Sequence, residues 1–228
     1  MLVAGSPSIV NKHLTYLHGK LVVDYSLGTL QSLGCTNVSV ILGGDHFHQV
    51  AAYLQDGSRY GMNLNYVFQG AATGISQAVY LCKRFVQDDT HFAVALGDSF
   101  FDEPVKFKPI VLEQAQVILC KHKQLNRFGV ASISNNSIAH IEEKPKTLYP
   151  RMEQYAIAGC YLFNQQFFEF FEKTRPSARS EFEIVDILQQ YLDVGALEHT
   201  VYDHYWSDVG THESLQEVQH LLYTKETK

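Results

Sequence analysis

Two hydrophobic periods alternate along the first hundred residues. "VDYSLGTLQSLG" carries apolar positions at helical spacing and stops at Gly34, and "DHFHQVAAYLQDG" predicts a second helix ended by Gly57. Between and after them, "NVSVILGG" and "MNLNYVFQ" have the β-branched and alternating character of strands. "GISQAVYLCKRF" returns to helical spacing, and "HFAVALGD" predicts a buried strand that ends at Gly97-Asp98. A β-α-β-α-β rhythm this tight predicts an α/β fold with a doubly wound, mostly parallel mixed sheet.

The pattern changes after Asp98. "AQVILCKH", "RFGVASI" and "SIAHIEEKP" predict strands, the last two joined at the polar turn Ser134-Asn135-Asn136. "QQFFEFFEKT" and "EFEIVDILQQYL" predict amphipathic helices, and "HTVYDHYW" a late strand. "THESLQEVQHLLY" predicts a closing helix with Leu215, Val218 and Leu222 on one face and Thr211 as its cap. No repeat, low-complexity tract or linker interrupts the chain, so a single domain over 1–228 is expected, with a β-rich second half from about residue 101.

Composition narrows the function classes. The 228 residues are 46% hydrophobic and 18% charged, with a net charge of −6 and no basic block. That argues against nucleic acid as a partner, while an anionic small molecule needs only a few local cations. The cysteines, Cys35, Cys82, Cys120 and Cys160, form no CxxC pair, and three lie in apolar runs. Reduced, buried thiols and a cytoplasmic location are expected. No apolar run approaches the roughly 18–20 residues of a membrane span, and no signal-peptide pattern opens the chain.

Several residues stand where chemistry is commonly placed. In open α/β sheets ligands bind beyond the carboxyl ends of strands, and Asp98 directly follows "FAVALG". Asp208, in "YWSDVGTHESL", lies between a strand and a helix. Either could hold a cation, and either could simply cap the next turn. Two carboxylates at element ends suit Mg²⁺, which takes one or two carboxylates and keeps several waters. "HIEEKP" sets Glu142, Glu143 and Lys144 at a strand end before the stiffening Pro145; a solvated edge is the plain alternative. Arg179 precedes a helix start, where anions are favoured. "FQGAATGISQA" is a strand, a Gly-bearing loop and a helix; Gln69 could both donate and accept at a base edge, and Gly74 would permit close backbone approach. The eleven histidines show no ligand spacing, and no Gly-x-Ser-x-Gly elbow is present.

Taken in order, "VNKHL", "DGSRYGMNLNYVFQ", "GISQA", "LGDSFF", "RFGV", "IEEKP", "YAIAGCYLF", "RPSARSEFEIVDI" and "WSDVGTHESL" resemble the sugar-1-phosphate nucleotidylyltransferases, and within them the glucose-1-phosphate thymidylyltransferases. The resemblance runs from about Ser8 to Leu222. It implies a Rossmann-like nucleotidyltransferase fold, with a nucleotide-binding half near 1–100 and a sugar-binding half near 101–228. It implies a reaction in which a sugar 1-phosphate oxygen attacks the α-phosphorus of a nucleoside triphosphate in line and pyrophosphate leaves. By position, Asp98 and Asp208 would hold Mg²⁺, and Lys12 would reach triphosphate oxygens. Gln69 and Gly74 would read the base, with dTTP favoured and UTP as the alternative. Gly129, Glu143 and the backbone near Ile157 would hold sugar hydroxyls, Lys144 and Arg179 the sugar phosphate, and Trp206 would flank the sugar. The partners implied are the triphosphate and glucose 1-phosphate, without nucleic acid or membrane, and a homo-oligomer is compatible with the family.

Three departures accompany the resemblance. The family opens with a strand and a G-G-x-G-T-R-L-x-P-x-T loop that cradles the triphosphate. Here "MLVAG" reads as a strand running into a Gly turn, with neither that loop nor its Arg before Asn11. The base-reading loop lacks the usual prolines, and the chain ends soon after the "GTHESL" helix. A second expectation therefore stands beside the enzyme: a catalytically impaired or truncated nucleotide-sugar-binding relative with weak turnover. A nucleotide-sugar glycosyltransferase ranks last, because "GDSFFD" contains no Asp-x-Asp.

Overall fold

The structure, a computed structural model, describes residues 11–44, 46–149 and 151–226. The expected strand "MLVAG" and the region of the expected loop lie outside the described residues. In chain order the elements are β1 (Tyr16–Leu17), β2 (Lys20–Leu21), α1 (Val22–Ser32), β3 (Asn37–Leu42), α2 (Phe47–Leu54), β4 (Asn63–Phe68), α3 (Ile75–Tyr80), α4 (Lys83–Val86), β5 (His91–Ala95), β6 (Ser99–Phe101) and β7 (Ala115–Cys120). They continue with β8 (Gly129–Ser134), β9 (Ser137–Glu143), β10 (Glu153–Asn164), α5 (Gln166–Lys173), α6 (Ile184–Asp193), β11 (Leu197–Tyr202), β12 (Trp206–Asp208) and α7 (His212–Glu226). Among the described residues each predicted helix and strand is represented, although "GISQAVYLCKRF" is divided into α3 and α4 around Leu81-Cys82 and "HTVYDHYW" between β11 and β12.

The elements belong to two units, each discontinuous in sequence. One comprises residues 1–72, 95–105 and 204–228; the other comprises 73–94 and 106–203.

In the first unit, β3 and β4 run parallel from Asn37↔Asn63 to Leu42↔Phe68, the connection of a β-α-β crossover through α2. Gly57 lies within that crossover, after α2, with φ of +86°, and a side chain there would collide with Leu64 Cγ at 2.4 Å. β6 and β12 form a short antiparallel ladder, Ser99↔Asp208 to Phe101↔Trp206. Around it Leu17, Val22, Phe100, Val209 and Val218 are buried together, and Leu215 and Leu222 of α7 pack on them as the predicted face requires. Thr211 caps α7 reciprocally: its Oγ1 accepts from the Ser214 N–H at 3.1 Å, while its own N–H donates to Ser214 Oγ at 3.2 Å.

In the second unit a six-stranded mixed sheet has the order β11-β7-β10-β8-β9, with β5 also beside β10. β11 is parallel to β7, whereas β10 is antiparallel to β7 and β8, and β8 to β9. The α/β class is as expected, with more antiparallel pairing than the opening rhythm suggests, because short turns send strands straight back. One such turn is Asn135-Asn136, both left-handed at φ of +50° and +63°, the geometry of a two-residue hairpin loop. Ala156, Ala158, Cys160 and Phe163 of β10 are fully buried, as are Phe167, Ile187, Leu188 and Tyr191 from α5 and α6. Among the described residues no helix is long and apolar enough to cross a membrane.

Candidate active site

In the first unit the residues converge around Gly210. The strand β5 leads to a tight turn in which the Ser99 N–H returns to the Leu96 carbonyl at 3.2 Å. Ser26 of α1 pins the same carbonyl, donating through Oγ at 2.9 Å. This turn projects Asp98. The β6–β12 register then places Asp208 opposite Ser99, and the Val209 N–H donates to the Asp98 carbonyl at 2.7 Å. A Cβ built on Gly210 would lie 3.5 Å from Asp98 Oδ2, 3.6 Å from Asp208 Oδ2 and 3.8 Å from Lys12 Nζ. The three charged atoms thus border one small space, left open because residue 210 has no side chain.

Lys12 reaches this space from a buried polar turn. Lys12–Leu14 form one turn of 3-10 helix, capped by Asn11. The Asn11 Oδ1 accepts from the His13 N–H at 3.1 Å and lies 2.7 Å from His13 Nδ1. Asn11 and His13 are buried, and the Asn11 N–H donates to Gln49 Oε1 at 3.1 Å. Burial lowers the His13 pKa to about 4, against the opposing pull of Asp98, so the ring is neutral at pH 7 and its Nδ1 carries the proton given to Asn11. Lys12 Nζ lies 2.7 Å from Asp98 Oδ2. Burial pushes the Asp98 carboxyl up, but the Lys12 ammonium, His13 and the hydrogen bonds to the carboxylate together outweigh it, and the net shift is downward. Gln69 and Trp206 belong to the same unit and are both buried; the Gln69 N–H continues β4, donating to the Leu42 carbonyl at 2.8 Å, and Trp206 pairs with Phe101.

In the second unit the register Gly129↔Glu143 sets the predicted pair side by side. A Cβ on Gly129 would meet Val185 Cγ2 at 2.9 Å, Glu143 Oε2 at 3.2 Å and Ile157 Cδ1 at 3.2 Å. Here the missing side chain is already replaced by neighbours. Lys144 leaves β9 with a left-handed φ of +47°, its N–H donating to the Phe128 carbonyl at 2.9 Å. Its Nζ is 3.7 Å from Glu143 Oε1, and Arg179 Nη2 is 3.0 Å from the same oxygen. Burial raises the Glu143 pKa, with Lys144 and Arg179 pulling the other way. Gly74, with φ of +107°, approaches protein backbone closely: a Cβ would lie 2.4 Å from the Phe182 carbonyl oxygen. The Phe182 N–H donates to Thr73 O at 2.7 Å, and Phe182 O accepts from the Ser76 N–H at 3.2 Å, so this glycine seats the segment before α6 against the start of α3.

The predicted residues therefore divide between the two units. Lys12, Gln69, Asp98, Trp206 and Asp208 belong to one unit, and Gly74, Gly129, Glu143, Lys144, Ile157 and Arg179 to the other. The sequence reading passed over Gly210, the Asn11–His13 pair and Glu183. The signal for Gly210 is its place two residues beyond Asp208; Glu183 carries no comparable signal in the sequence. Asp98 and Asp208 supply two carboxylates, a donor set that suits a cation completed by water and substrate oxygens; among the described residues no cluster of three or more His, Cys, Asp or Glu could hold a metal ion.

The sequence pattern of the nucleotidyl transferase family matches residues 6–225, and the chain belongs to that family. It is similar to a glucose-1-phosphate thymidylyltransferase of Neisseria meningitidis, 31% identical and covering 94% of this chain and 76% of that protein. It is also similar to a low-salt glycan biosynthesis nucleotidyltransferase of Haloferax volcanii, 31% identical over 92% of this chain but only 60% of that protein. Among solved structures, one described as a glucose-1-phosphate thymidylyltransferase of Bacillus anthracis, in complex with sucrose, superposes with a TM-score of 0.83 at 35% identity, covering 93% of this chain and 87% of that chain. A UDP-glucose pyrophosphorylase complexed with UDP-glucose shares the fold, with a TM-score of 0.79 at 19% identity over 95% of this chain and 91% of that chain.

Proposed function

We propose that the chain transfers a nucleotidyl group from dTTP, or from UTP as the alternative, to glucose 1-phosphate and releases pyrophosphate. The observation that carries this reading is the convergence of Asp98 Oδ2, Asp208 Oδ2 and Lys12 Nζ on the space at Gly210. Asp98 and Asp208 would hold Mg²⁺, whose positive charge would offset that of the phosphates. Lys12, facing the same space, would bind triphosphate oxygens, and the neutral His13–Asn11 turn would fix its direction. Gln69 would read the base, with Gly74 holding the loop that follows. In the second unit Glu143 would accept from sugar hydroxyls beside Gly129 and Ile157, while Lys144 and Arg179 bind the sugar phosphate. Trp206 would flank the sugar. The left-handed backbone of Lys144, costly for a residue with a side chain, supports a positioned role there.

In the reaction a sugar-phosphate oxygen forms a new bond to the α-phosphorus, and the bond from that phosphorus to the β-phosphate oxygen breaks. Bringing two anions together is the main barrier, so the protein contributes by placing cations and aligning the nucleophile. The test is pyrophosphate release from dTTP, UTP and purine triphosphates with glucose 1-phosphate. Turnover fastest with dTTP is expected, and a preference for a purine triphosphate would remove Gln69 from base reading.

A further inference from the structure

The loop before α6 is built around one carboxylate. Glu183 occupies the N-cap position of α6, where an acidic side chain ordinarily accepts from its own helix's N–H groups, yet it makes no such bond. Its oxygens turn back along the chain instead. Oε1 accepts from Ser177 Oγ at 2.7 Å and from Arg179 Nε at 3.2 Å, and Oε2 lies 2.9 Å from Arg179 Nη2. This is a two-pronged grip on the side edge of the guanidinium. The intervening turn is tight: Ser180 is left-handed at φ of +60°, its N–H returns to the Ser177 carbonyl at 2.8 Å, and the Arg179 N–H donates to Ser177 Oγ at 3.1 Å. Glu183 is itself buried and anchored, its carbonyl accepting from Ser76 Oγ at 2.8 Å.

The grip leaves a specific part of Arg179 available. Nη2 is further occupied by Glu143 Oε1 at 3.0 Å, with Glu181 more distant at 3.8 Å. Among the described residues Nη1 has no partner, and the side chain is 40% exposed. An arginine loses considerable rotamer freedom on binding an anion, and one already held along one edge loses less.

Resting on the nucleotidylyltransferase reading, we propose that Glu183 is a positioning residue: it locks the Nε/Nη2 edge of Arg179 so that Nη1 is presented to a phosphate oxygen of the sugar 1-phosphate. Glu183 touches no substrate itself. It sacrifices its helix-capping role to aim a cation four residues earlier in the chain.

The experiment is calorimetric titration of glucose 1-phosphate into the full chain and into Arg179→Ala, Glu183→Ala, Glu183→Gln and the double variant Glu183→Ala/Arg179→Ala, with KM measured for both substrates. Glu183→Ala should weaken binding by roughly 10-fold or more, the scale of a lost charge-assisted contact. The double variant should bind no worse than Arg179→Ala alone, since Glu183 acts through that side chain. KM for glucose 1-phosphate should rise while KM for dTTP stays unchanged, a split that general loosening of the fold would not give. Glu183→Gln retains the volume and one acceptor, should fall between, and carries the test if Glu183→Ala does not fold. Wild-type affinity in the folded Glu183 variants, or additive losses in the double variant, overturns the positioning role and leaves the enzyme reading standing. No glucose 1-phosphate binding by the wild-type chain, or none of it lost in Arg179→Ala, overturns the assignment of Arg179 and this proposal together.

Discussion

The two units surround their key glycines differently. At Gly210 the nearest atoms to an added Cβ are three charged groups, all at 3.5 Å or beyond; at Gly129 they include aliphatic carbons at 2.9 and 3.2 Å. One glycine keeps an opening, and the other lets α6 press on the sheet. The charges differ in the same way. Asp208 and the Asp98–Lys12 pair face a space that another group could enter, whereas Glu143, Lys144, Arg179 and Glu183 already satisfy much of one another. In the first unit the charged groups border an opening, and in the second they brace one another in fixed directions.

Substitutions that retain shape but alter charge probe this contrast most strongly. Asp98→Asn and Asp208→Asn should each reduce pyrophosphate release by about 10³-fold, because a lost cation site removes several kcal/mol of transition-state stabilisation. Steady-state rates across a Mg²⁺ titration check this, and rates within threefold of wild type would show that the opening at Gly210 receives no cation. The glycines give the next effect. Gly129→Ala should destabilise the fold by about 1–3 kcal/mol through overpacking against Val185 and Ile157, measured as a lower denaturation midpoint. Gly210→Ala should leave the midpoint nearly unchanged and instead raise the Mg²⁺ concentration needed for half-maximal rate. Equal midpoint losses would erase the distinction between the two glycines.

A smaller effect is expected from pH. His199 of β11 is buried, and burial, reinforced by Lys108, holds its pKa below the ordinary histidine value. The unfolded chain then binds the proton at a higher pH than the folded one. Its contribution to stability is complete above the ordinary histidine range and falls as pH drops through that range towards the lowered value. His199→Gln should flatten the stability profile between about pH 7 and pH 5, read from denaturation midpoints. An unchanged slope would place that proton uptake elsewhere.

The sequence disclosed the architecture better than the meeting points. Helix and strand periods identified most elements, and Asp98 and Asp208 were recognisable because each closes a strand. Their approach to one another was not. It depends on β6 and β12, each three residues long and too short to show a period, paired across nearly half the chain. β10 was also unassigned as an element, although "YAIAGCYLF" had been noticed. Both of its faces are buried, so it lacks the alternation that marks a half-exposed strand. Gly74 was read as a place of close approach, and it is one, with the Phe182 backbone as the neighbour. The interleaving of the units had no sequence signal, since no linker marks where the chain passes from one to the other.

The β6–β12 ladder has a consequence for how the protein is made. As the chain leaves the ribosome, Lys12 and Asp98 emerge before the second unit is complete, but the strand bearing Asp208 and the α7 face that covers Leu17 and Phe100 follow it. Every residue of the second unit has been synthesised by then. Nascent chains stalled before Trp206 should leave Phe100 and Val22 without their covering helix, a surface for chaperones to hold. The carboxylate pair therefore cannot form until the second unit has been synthesised, and a chain released before Trp206 cannot assemble it.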